Sequence, residues 1–271
     1  MITADYHVHS AFSSDGKATM EQMIEQAIKL GLKKLCFTDH MDYDYPQVGV
    51  YNFTFEVHDY LKKIVEMKER YQGQIELLTG VELGLQPHLK DRLTSLVNSY
   101  PFDFIIGSSH VVDHIDPYYP EYWINKTREE GIRAYFQSII DNCNTFDGFN
   151  VYGHLDYIIR YVPGQAEEKM TYNYNEYADV LDEALKAIIH LGKGIEVNTA
   201  GYKYGIGYPH PKPEVLSRYK ELGGELITIG SDAHRPEHLC YDFDRIPELL
   251  KSLGYRYYAT FIKGKPIYEK L

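Results

Sequence analysis

Residues 35–40, Leu35-Cys36-Phe37-Thr38-Asp39-His40, form a short apolar run that ends in an acid and a histidine. A run of this length, without helical spacing, predicts a buried strand. A helix precedes it, because Thr19 and Gln22 form a capping-box pattern and Gly31 follows the last apolar position. A second helix is predicted for residues 54–71. The stretch therefore predicts a strand between two helices, with polar groups at the carboxyl end of the strand.

The same alternation of strands and helices continues along the chain. Further strands are predicted at residues 75–83, 102–106, 151–153, 194–197, 226–229 and 255–260. This order is typical of a parallel sheet that is either closed as a barrel or doubly wound. No glycine-rich phosphate loop follows a strand, which weakens the doubly wound alternative. We therefore favour an α/β barrel in which residues 1–271 form a single domain.

Composition limits the classes of partner. The net charge of −11 disfavours nucleic acid, because contacts with its phosphates need a basic face. A small anionic substrate stays compatible, since bound metal cations can reverse the charge of a pocket. The three cysteines form no Cys-x-x-Cys pair, and no signal peptide or membrane-spanning run is evident. We expect a cytoplasmic protein that binds neither nucleic acid nor membranes, in an oligomeric state that the sequence leaves open.

Most candidate metal ligands share one position, the carboxyl end of a predicted strand. They are His7, His9, His40, Glu82, His110, His154, Asp232 and His234. In a β/α barrel all these strand ends lie on one face, where barrel enzymes have their active sites. Imidazole together with carboxylate suits Zn, Mn or Fe better than Mg or Ca. The set is too large for one ion, so we predict a polynuclear site in which Glu82 bridges metals.

Other polar residues have less specific patterns. Asp156 follows His154 and could either orient a ligand imidazole or cap a helix. His210 is a possible substrate-loop residue. The remaining histidines, which lack ligand-like neighbours, are interpreted as ordinary: His58, His88, His114, His190 and His238. Two long irregular stretches, residues 41–53 and 111–126, are rich in Tyr, Asp and Pro, and we expect them to form the substrate side of the site.

The motifs, taken in order, resemble those of the polymerase-and-histidinol-phosphatase (PHP) superfamily of metal-dependent phosphoesterases. They are His7-Val8-His9, Thr38-Asp39-His40, Gly80-Val81-Glu82, Ser109-His110, Gly153-His154-Leu155-Asp156, Glu196-Val197-Asn198 and Ser231-Asp232-Ala233-His234. His-x-His alone is a weak signal, whereas the ordered set is specific and spans nearly the whole chain. Chain length, the loops after His40 and His110, and the Pro236 that follows the last motif resemble the stand-alone histidinol-phosphate phosphatase branch.

The resemblance implies a distorted (β/α)7 barrel, TIM-like, with the active site at the C-terminal ends of the strands. It also implies three divalent metals, Zn, Mn or Fe. Their ligands would be His7, His9, Glu82 and Asp232 for the first ion, Glu82, His110 and His154 for the second, and Asp15, His40 and His234 for the third. Asp15 departs from relatives that have a histidine nearby, and the residues alone would make it a turn residue before Gly16.

The activity that this likeness implies is hydrolysis of a small phosphomonoester, with L-histidinol phosphate as the expected substrate and metal-activated hydroxide as the nucleophile. Glu82, Asp232 and His234 are the candidate catalytic residues. Arg160 is a candidate phosphate clamp, although a solvated loop residue is an equal alternative. Asp42 and His210 are candidate substrate contacts, and loop composition adds Asp44, Asp113 and Tyr118 as groups that could accommodate substrate cations.

Three rival functions are compatible with parts of the pattern. A related phosphatase or phosphodiesterase could act on nucleotides or phosphopeptides. A metal-dependent amidohydrolase also has His-x-His on its first strand, but usually carries a bridging lysine at a strand end, and none is evident here. A metal-stabilised regulatory or polymerase-associated domain is the non-enzymatic alternative, which the acidic charge and the lack of an attached module disfavour.

Overall fold

The computed structural model describes residues 2–46, 51–164 and 171–271; residues 47–50 of the predicted substrate-side loop lie outside them. In chain order the elements are β1 (Ala4–Val8), α1 (Met20–Lys29), β2 (Lys34–Phe37), β3 (His40–Met41), α2 (Val57–Arg70), β4 (Glu76–Gly84), α3 (Lys90–Ser99), β5 (Phe104–Ser108), α4 (Arg128–Thr145), β6 (Val151–Tyr152), α5 (Ala178–His190), β7 (Gly194–Asn198), α6 (Ala200–Lys203), α7 (Pro213–Glu221), β8 (Ile227–Gly230), α8 (Ile246–Ser252), β9 (Tyr257–Ile262) and β10 (Lys265–Lys270).

The sheet is parallel and curls into a nearly closed barrel. Its strand order is β1-β2-β4-β5-β6-β7-β8, and the short β3 pairs with β4 beyond the end of β2. The two outer strands, β1 and β8, approach each other at their carboxyl ends, where the amide of His9 donates to the carbonyl of Ala233 at 2.9 Å. The predicted (β/α)7 barrel with its surrounding helices is confirmed.

Local sequence signals position the first helix as predicted. The Thr19 side chain accepts from the Gln22 amide, and the Gln22 side chain accepts from the Thr19 amide, so both halves of the capping box form. Met23, Ile24 and Ala27 are buried against the barrel. Burial of such an apolar face supplies most of the stability of a helix this short.

The last predicted strand has a different role from the one expected. Residues 257–262 do form a strand, but it pairs antiparallel with β10, which was not predicted, and not with the barrel. Ala259 and Phe261 of this hairpin pack against Tyr6 and Phe104 inside the amino-terminal end of the barrel. The hairpin therefore closes one end of the barrel, and the strand-end residues lie at the other.

Among the described residues, no helix combines the length and the apolar character that crossing a lipid bilayer requires.

Candidate metal centre

Glu82 lies at the centre of the carboxyl-terminal face of the barrel and is fully buried. Its Oε2 is 3.1 Å from His7 Nε2, 3.1 Å from His40 Nδ1 and 3.5 Å from His9 Nε2. Its Oε1 is 2.9 Å from His154 Nε2 and 3.2 Å from His110 Nε2. One carboxylate thus contacts five imidazoles that come from four strand ends, with His7 and His9 sharing that of β1.

An irregularity in β1 accounts for the direction of the two histidines of His-x-His. The register of β1 against β2 shifts between Asp5 and Val8. In a regular strand the consecutive residues Tyr6 and His7 would face opposite sides of the sheet. Here both face the barrel interior: Tyr6 faces the apolar cluster at the amino-terminal end, and His7 and His9 both face Glu82. Bulges of this kind redirect side chains and are common beside active sites.

The loop after β8 adds Asp232 and His234. Asp232 Oδ1 is 3.4 Å from His9 Nε2 and 3.8 Å from His7 Nε2. Asp232 has a φ of 54°, a left-handed conformation that aspartate tolerates better than most residues, and its carbonyl accepts from Lys203 Nζ at 3.2 Å. The ring of His234 stacks on that of His9, with centroids 4.0 Å apart.

Asp15 is a turn residue that also faces the site. Its Oδ2 is 3.1 Å from His234 Nε2 and 3.9 Å from His40 Nε2. The turn requires a glycine at the next position, because a Cβ on Gly16 would lie 2.0 Å from the carbonyl oxygen of Ser10. The two sequence interpretations of Asp15, as turn residue and as ligand, are therefore compatible.

The donor atoms fit divalent metal ions. Among the residues that the structure describes, four groups have ligand atoms that all lie within 4.8 Å of one another: His7, His9 and Glu82; Glu82, His110 and His154; His9, His40 and His234; and His40, Asp42 and His110. Several of these atoms are buried without a hydrogen-bond partner, among them Nε2 of His7, Nε2 of His9 and Oε2 of Glu82. Buried polar atoms are nearly always paired, so lone pairs that face one another in this way match a metal site.

In the metal-free protein the charges of the cluster are mutually dependent. Burial would raise the pKa of Glu82, but His7, His110 and His40 outweigh it and hold that pKa well below its usual range. Burial and the neighbouring His234 and His40 lower the pKa of His9 well below its ordinary value. Glu82 is consequently an anion, and His9 keeps a free lone pair, which are the forms that bind metal.

Two acids that the sequence placed at strand ends lie behind the ligands. Asp39 accepts from the backbone and side chains of Ser10 and Ser13, which holds the loop that carries Asp15. Asp156 accepts from the ring of His210 and from the Lys212 amide, and its side chain makes no capping hydrogen bond. Asp156 therefore orients an imidazole, but it is that of His210, which is not one of the predicted metal ligands.

A pocket of about 130 Å³ opens above the cluster, and Arg160 is part of its wall. The Arg160 side chain is 7% exposed, its Nη2 lies 3.9 Å from Asp232 Oδ2, and that nitrogen has no hydrogen-bond partner. Its Nε donates to His210 Nε2 at 3.0 Å, and its guanidinium lies over the Tyr204 ring. His210 itself is fully buried behind Arg160 and does not line the pocket.

Asp42 lines the pocket but also contacts a metal-type ligand. Its Oδ2 accepts from His110 Nδ1 at 2.8 Å, which orients that imidazole. It could additionally join His40 and His110 as a ligand. The position of Asp42 thus allows three roles: the predicted contact with substrate, orientation of the His110 ring, and ligation of a metal.

Of the loop residues predicted to meet substrate cations, three lie elsewhere. Asp44 pairs with His88 and Arg92, Asp113 lines a different cavity, and Tyr118 is 62% exposed. Sequence reasoning missed the residues that do line the pocket: Tyr45, Phe53, Asp116, Tyr157, Tyr161 and Tyr204. Loop length and aromatic content indicated the correct segments for three of these, Tyr45, Phe53 and Asp116, but composition does not tell which side chain points inward.

Asp116 and Tyr45 join the two long loops across the pocket. The Tyr45 hydroxyl donates to Asp116 Oδ2 at 2.5 Å, and the Tyr118 amide donates to Asp116 Oδ1 at 2.7 Å. Burial raises the pKa of Asp116. Asp116 thus joins Asp15, Asp42 and Asp232 among the acidic residues that line the pocket.

Comparison with known proteins decides the family. The model of the PHP domain family matches residues 5–200, a segment that contains every candidate metal ligand from His7 to His154. The chain belongs to the PHP domain family. A histidinol-phosphatase of Lactococcus lactis is 31% identical to it over 96% of this chain and 95% of the relative. A probable histidinol-phosphatase of Clostridium acetobutylicum is 31% identical over 88% of this chain and 89% of the relative.

Solved structures agree with the fold of this PHP protein. The crystal structure of histidinol phosphate phosphatase from Lactococcus lactis superimposes with a TM-score of 0.89 at 30% identity, over 98% of both chains. That crystal structure contains zinc, L-histidinol and phosphate.

Proposed function

We propose that this PHP protein is a metal-dependent phosphomonoesterase that hydrolyses L-histidinol phosphate to L-histidinol and phosphate, a step of histidine biosynthesis. The observation that carries the proposal is the pocket itself, in which an unpaired guanidinium nitrogen of Arg160 faces a cluster of unpaired metal-type ligands. The zinc, L-histidinol and phosphate bound by the relative of 30% identity support the same substrate.

Three ions would be held by the sets that the family resemblance implies. The first set is His7, His9, Glu82 and Asp232, the second is Glu82, His110 and His154, and the third is Asp15, His40 and His234. The distances above support the first two sets directly. In the third, Asp15 Oδ2 lies 3.1 Å from His234 Nε2 and 3.9 Å from His40 Nε2, and His9 also has a ligand atom within 4.8 Å of those two histidines. Divalent ions in such sites lower the pKa of a water ligand and neutralise charge on phosphoryl oxygens.

Arg160 would bind the phosphate. A guanidinium offers parallel N–H groups that match two phosphate oxygens, and its charge is permanent. Its Nε is already engaged by His210, which leaves the Nη groups directed at the pocket. His210 and Asp156 then act through Arg160, as the groups that hold the guanidinium in place.

The remainder of the pocket suits a small cationic alcohol. Asp116 offers a carboxylate to an ammonium or imidazolium group, and the rings of Phe53, Tyr161 and Tyr204 offer aromatic faces to the same cations. Asp232 and His234 line the pocket as well. His7, His9 and His234 outweigh burial and hold the pKa of Asp232 well below its usual range, so of these two residues only a protonated, metal-free His234 would deliver a proton to the leaving oxygen.

The amidohydrolase alternative has less support. The bridging lysine typical of that class has no counterpart, since no lysine lines the pocket in the described part of the chain. Nucleotides and phosphopeptides are the better rivals, because they present the same phosphate.

The test is phosphate release by the zinc-loaded protein from L-histidinol phosphate, ethanolamine phosphate, a nucleoside monophosphate and a phosphotyrosine peptide. We expect the highest kcat/KM for L-histidinol phosphate, and loss of all turnover after a chelator removes the metal. Equal kcat/KM for ethanolamine phosphate would contradict the assigned substrate. Undiminished turnover in the metal-free protein would contradict the metal-dependent mechanism.

A further inference from the structure

A buried carboxylate behind the cluster, Glu196 of β7, is neither a predicted ligand nor part of the pocket wall. We propose that Glu196 is a positioning residue that holds His7 in its metal-binding tautomer and anchors His154 beside it. The inference rests on the proposed metal-dependent function, and it adds a residue on which binding of two of the three ions depends.

The two oxygens of Glu196 are occupied by donors from three residues. Oε1 accepts from His7 Nδ1 at 2.6 Å, and Oε2 accepts from the His154 amide at 2.8 Å and from Asn198 Nδ2 at 3.1 Å. The side chain is 1% exposed, so solvent cannot replace any of these donors. Glu196 therefore ties β7 to β1 on one side and to His154, two residues after the end of β6, on the other.

The contact with His7 determines which ring nitrogen carries the proton. A carboxylate only accepts hydrogen bonds, so Nδ1 of His7 must be the N–H. In the neutral ring, which is the form that binds metal, Nε2 then keeps its lone pair, and Nε2 is the atom that lies 3.1 Å from Glu82 Oε2 without a hydrogen-bond partner. An acceptor behind a ligand histidine also fixes the plane of the ring and raises its basicity.

The neighbouring strand is shaped around this pair. A Cβ on Gly230 of β8 would lie 2.4 Å from Glu196 Oε1 and 2.4 Å from His7 Cβ. No side chain other than hydrogen fits at that separation without displacing the pair. The glycine thus leaves room for a carboxylate–imidazole pair in the barrel wall, which a purely apolar interior would not need.

The contacts of Glu196 are unevenly distributed over the cluster. It meets His7 of the first predicted metal set and His154 of the second, and it contacts neither Asp15 nor His234 of the third. Loss of Glu196 should therefore weaken two ions and leave the third in place.

Glu196→Gln is the sharpest variant, because it keeps the size of the side chain but supplies only one acceptor oxygen. If the amide oxygen faces His7, the amide nitrogen meets the N–H of His154. If the amide nitrogen faces His7, that ring must accept at Nδ1 and so carries its proton on Nε2, the atom assigned to metal. Neither orientation satisfies both neighbours.

The matched control is Asp103→Asn. Asp103 is also a buried carboxylate that accepts from backbone amides, those of Thr79 and Lys263, but it lies at the opposite end of the barrel. Zinc affinity is measured for each variant by competition with a chromophoric chelator. In Glu196→Gln we expect two of the three zinc equivalents to bind about 10- to 100-fold more weakly. In Asp103→Asn we expect all three to bind as in the unaltered protein.

Equal zinc affinity in Glu196→Gln and the unaltered protein would overturn the inference, as would an equal loss in both variants. A second measurement covers the case in which Glu196→Gln does not fold. In the zinc-loaded unaltered protein labelled with 15N-histidine, we expect a one-bond N–H coupling at His7 Nδ1. A proton on Nε2 of His7 would overturn the inference. Failure of the unaltered protein to bind zinc would instead refute the proposed function.

Discussion

The two ends of the barrel are built from the same strands but differ in how their buried polar atoms are paired. At the amino-terminal end Tyr6, Phe104 and Phe261 fill the interior, and the one buried hydroxyl among them, that of Tyr6, donates to the carbonyl of Phe261 at 2.9 Å. At the carboxyl-terminal end Glu82 is surrounded by imidazoles, and Nε2 of His7, Nε2 of His9 and Nδ1 of His40 face it without a hydrogen-bond partner.

The difference separates stability from function. The amino-terminal end has its polar atoms paired and its apolar surface covered, which is the arrangement that stabilises a fold. The carboxyl-terminal end keeps buried lone pairs that cost free energy until a metal binds them. We therefore expect substitutions at one end to change unfolding and substitutions at the other to change metal binding and turnover.

The largest effect is expected for Glu82→Ala, because this carboxylate contacts five ligands. Zinc content should fall, and kcat/KM for L-histidinol phosphate should drop by more than about 100-fold, the upper end of the loss for an outer partner of a ligand. The control is Glu76→Ala, an exposed residue at the other end of the same strand. A Glu82→Ala protein with full turnover would contradict the central position of this residue.

At the closed end, Phe261→Ala should destabilise the protein by about 3–5 kcal/mol, because it leaves a cavity among tightly packed rings. Its zinc content and kcat, measured under conditions where it is folded, should match those of the unaltered protein. Urea unfolding provides the free energy, and Tyr268→Ala, on the exposed face of the hairpin, is the control. A loss of zinc in Phe261→Ala would show that the two ends are not independent.

A smaller effect is expected for Arg160→Lys. Lysine keeps the charge but loses the paired N–H groups and the hydrogen bond to His210, so kcat/KM should fall by about 10- to 100-fold while zinc stays bound. Steady-state kinetics and metal analysis measure the two quantities. Arg256→Lys, at an exposed arginine near the hairpin, is the control for replacing an arginine with a lysine outside the site. Unchanged kinetics in Arg160→Lys would remove this residue from the site.

The smallest effect concerns the pH dependence of the metal-free protein. Burial lowers the pKa of His40, but Glu82, Asp15 and Asp42 outweigh it and raise the pKa from 6.5 to about 9. A raised pKa means that the protonated imidazole stabilises the fold, fully below pH 6.5 and not above about pH 9.

The free energy of unfolding of the metal-free protein should therefore fall between these pH values, and the fall should be smaller in His40→Gln. Chemical denaturation at several pH values measures it, with His58→Gln, an exposed histidine, as the control. An identical slope in His40→Gln and the unaltered protein would contradict the assignment to His40.

The sequence predicted the open end of the barrel better than the closed end. Strand alternation and the position of ligand-type residues depend on local chain properties, so the strand-end side chains that meet around Glu82 could be named from the sequence. The hairpin was not foreseen, because Pro266 and the charged residues of 265–270 weaken its strand pattern. Its pairing with residues 257–262 is antiparallel and lies outside the barrel, which a repeating strand–helix pattern cannot indicate.

Some residues of the site could not be predicted from the sequence for a similar reason. Glu196 and Gly230 are adjacent only through the barrel, and nothing in their local sequence tells that one makes room for the other. Asp116 was missed and Asp113 was chosen, because both belong to one acidic loop and the direction of each side chain depends on the fold of that loop. The regular geometry of a strand determines the direction of the side chains at its end, whereas a loop has no regular geometry from which side-chain directions can be predicted.

Anomalous diffraction at the zinc edge, from crystals of the zinc-loaded protein, tests the central claim most directly. The account predicts peaks within about 2.0–2.2 Å of Glu82 oxygens and of the Nε2 atoms of His7 and His9, and none near the hairpin. A carboxyl-terminal face without zinc, or zinc bound only at other parts of the surface, would contradict it.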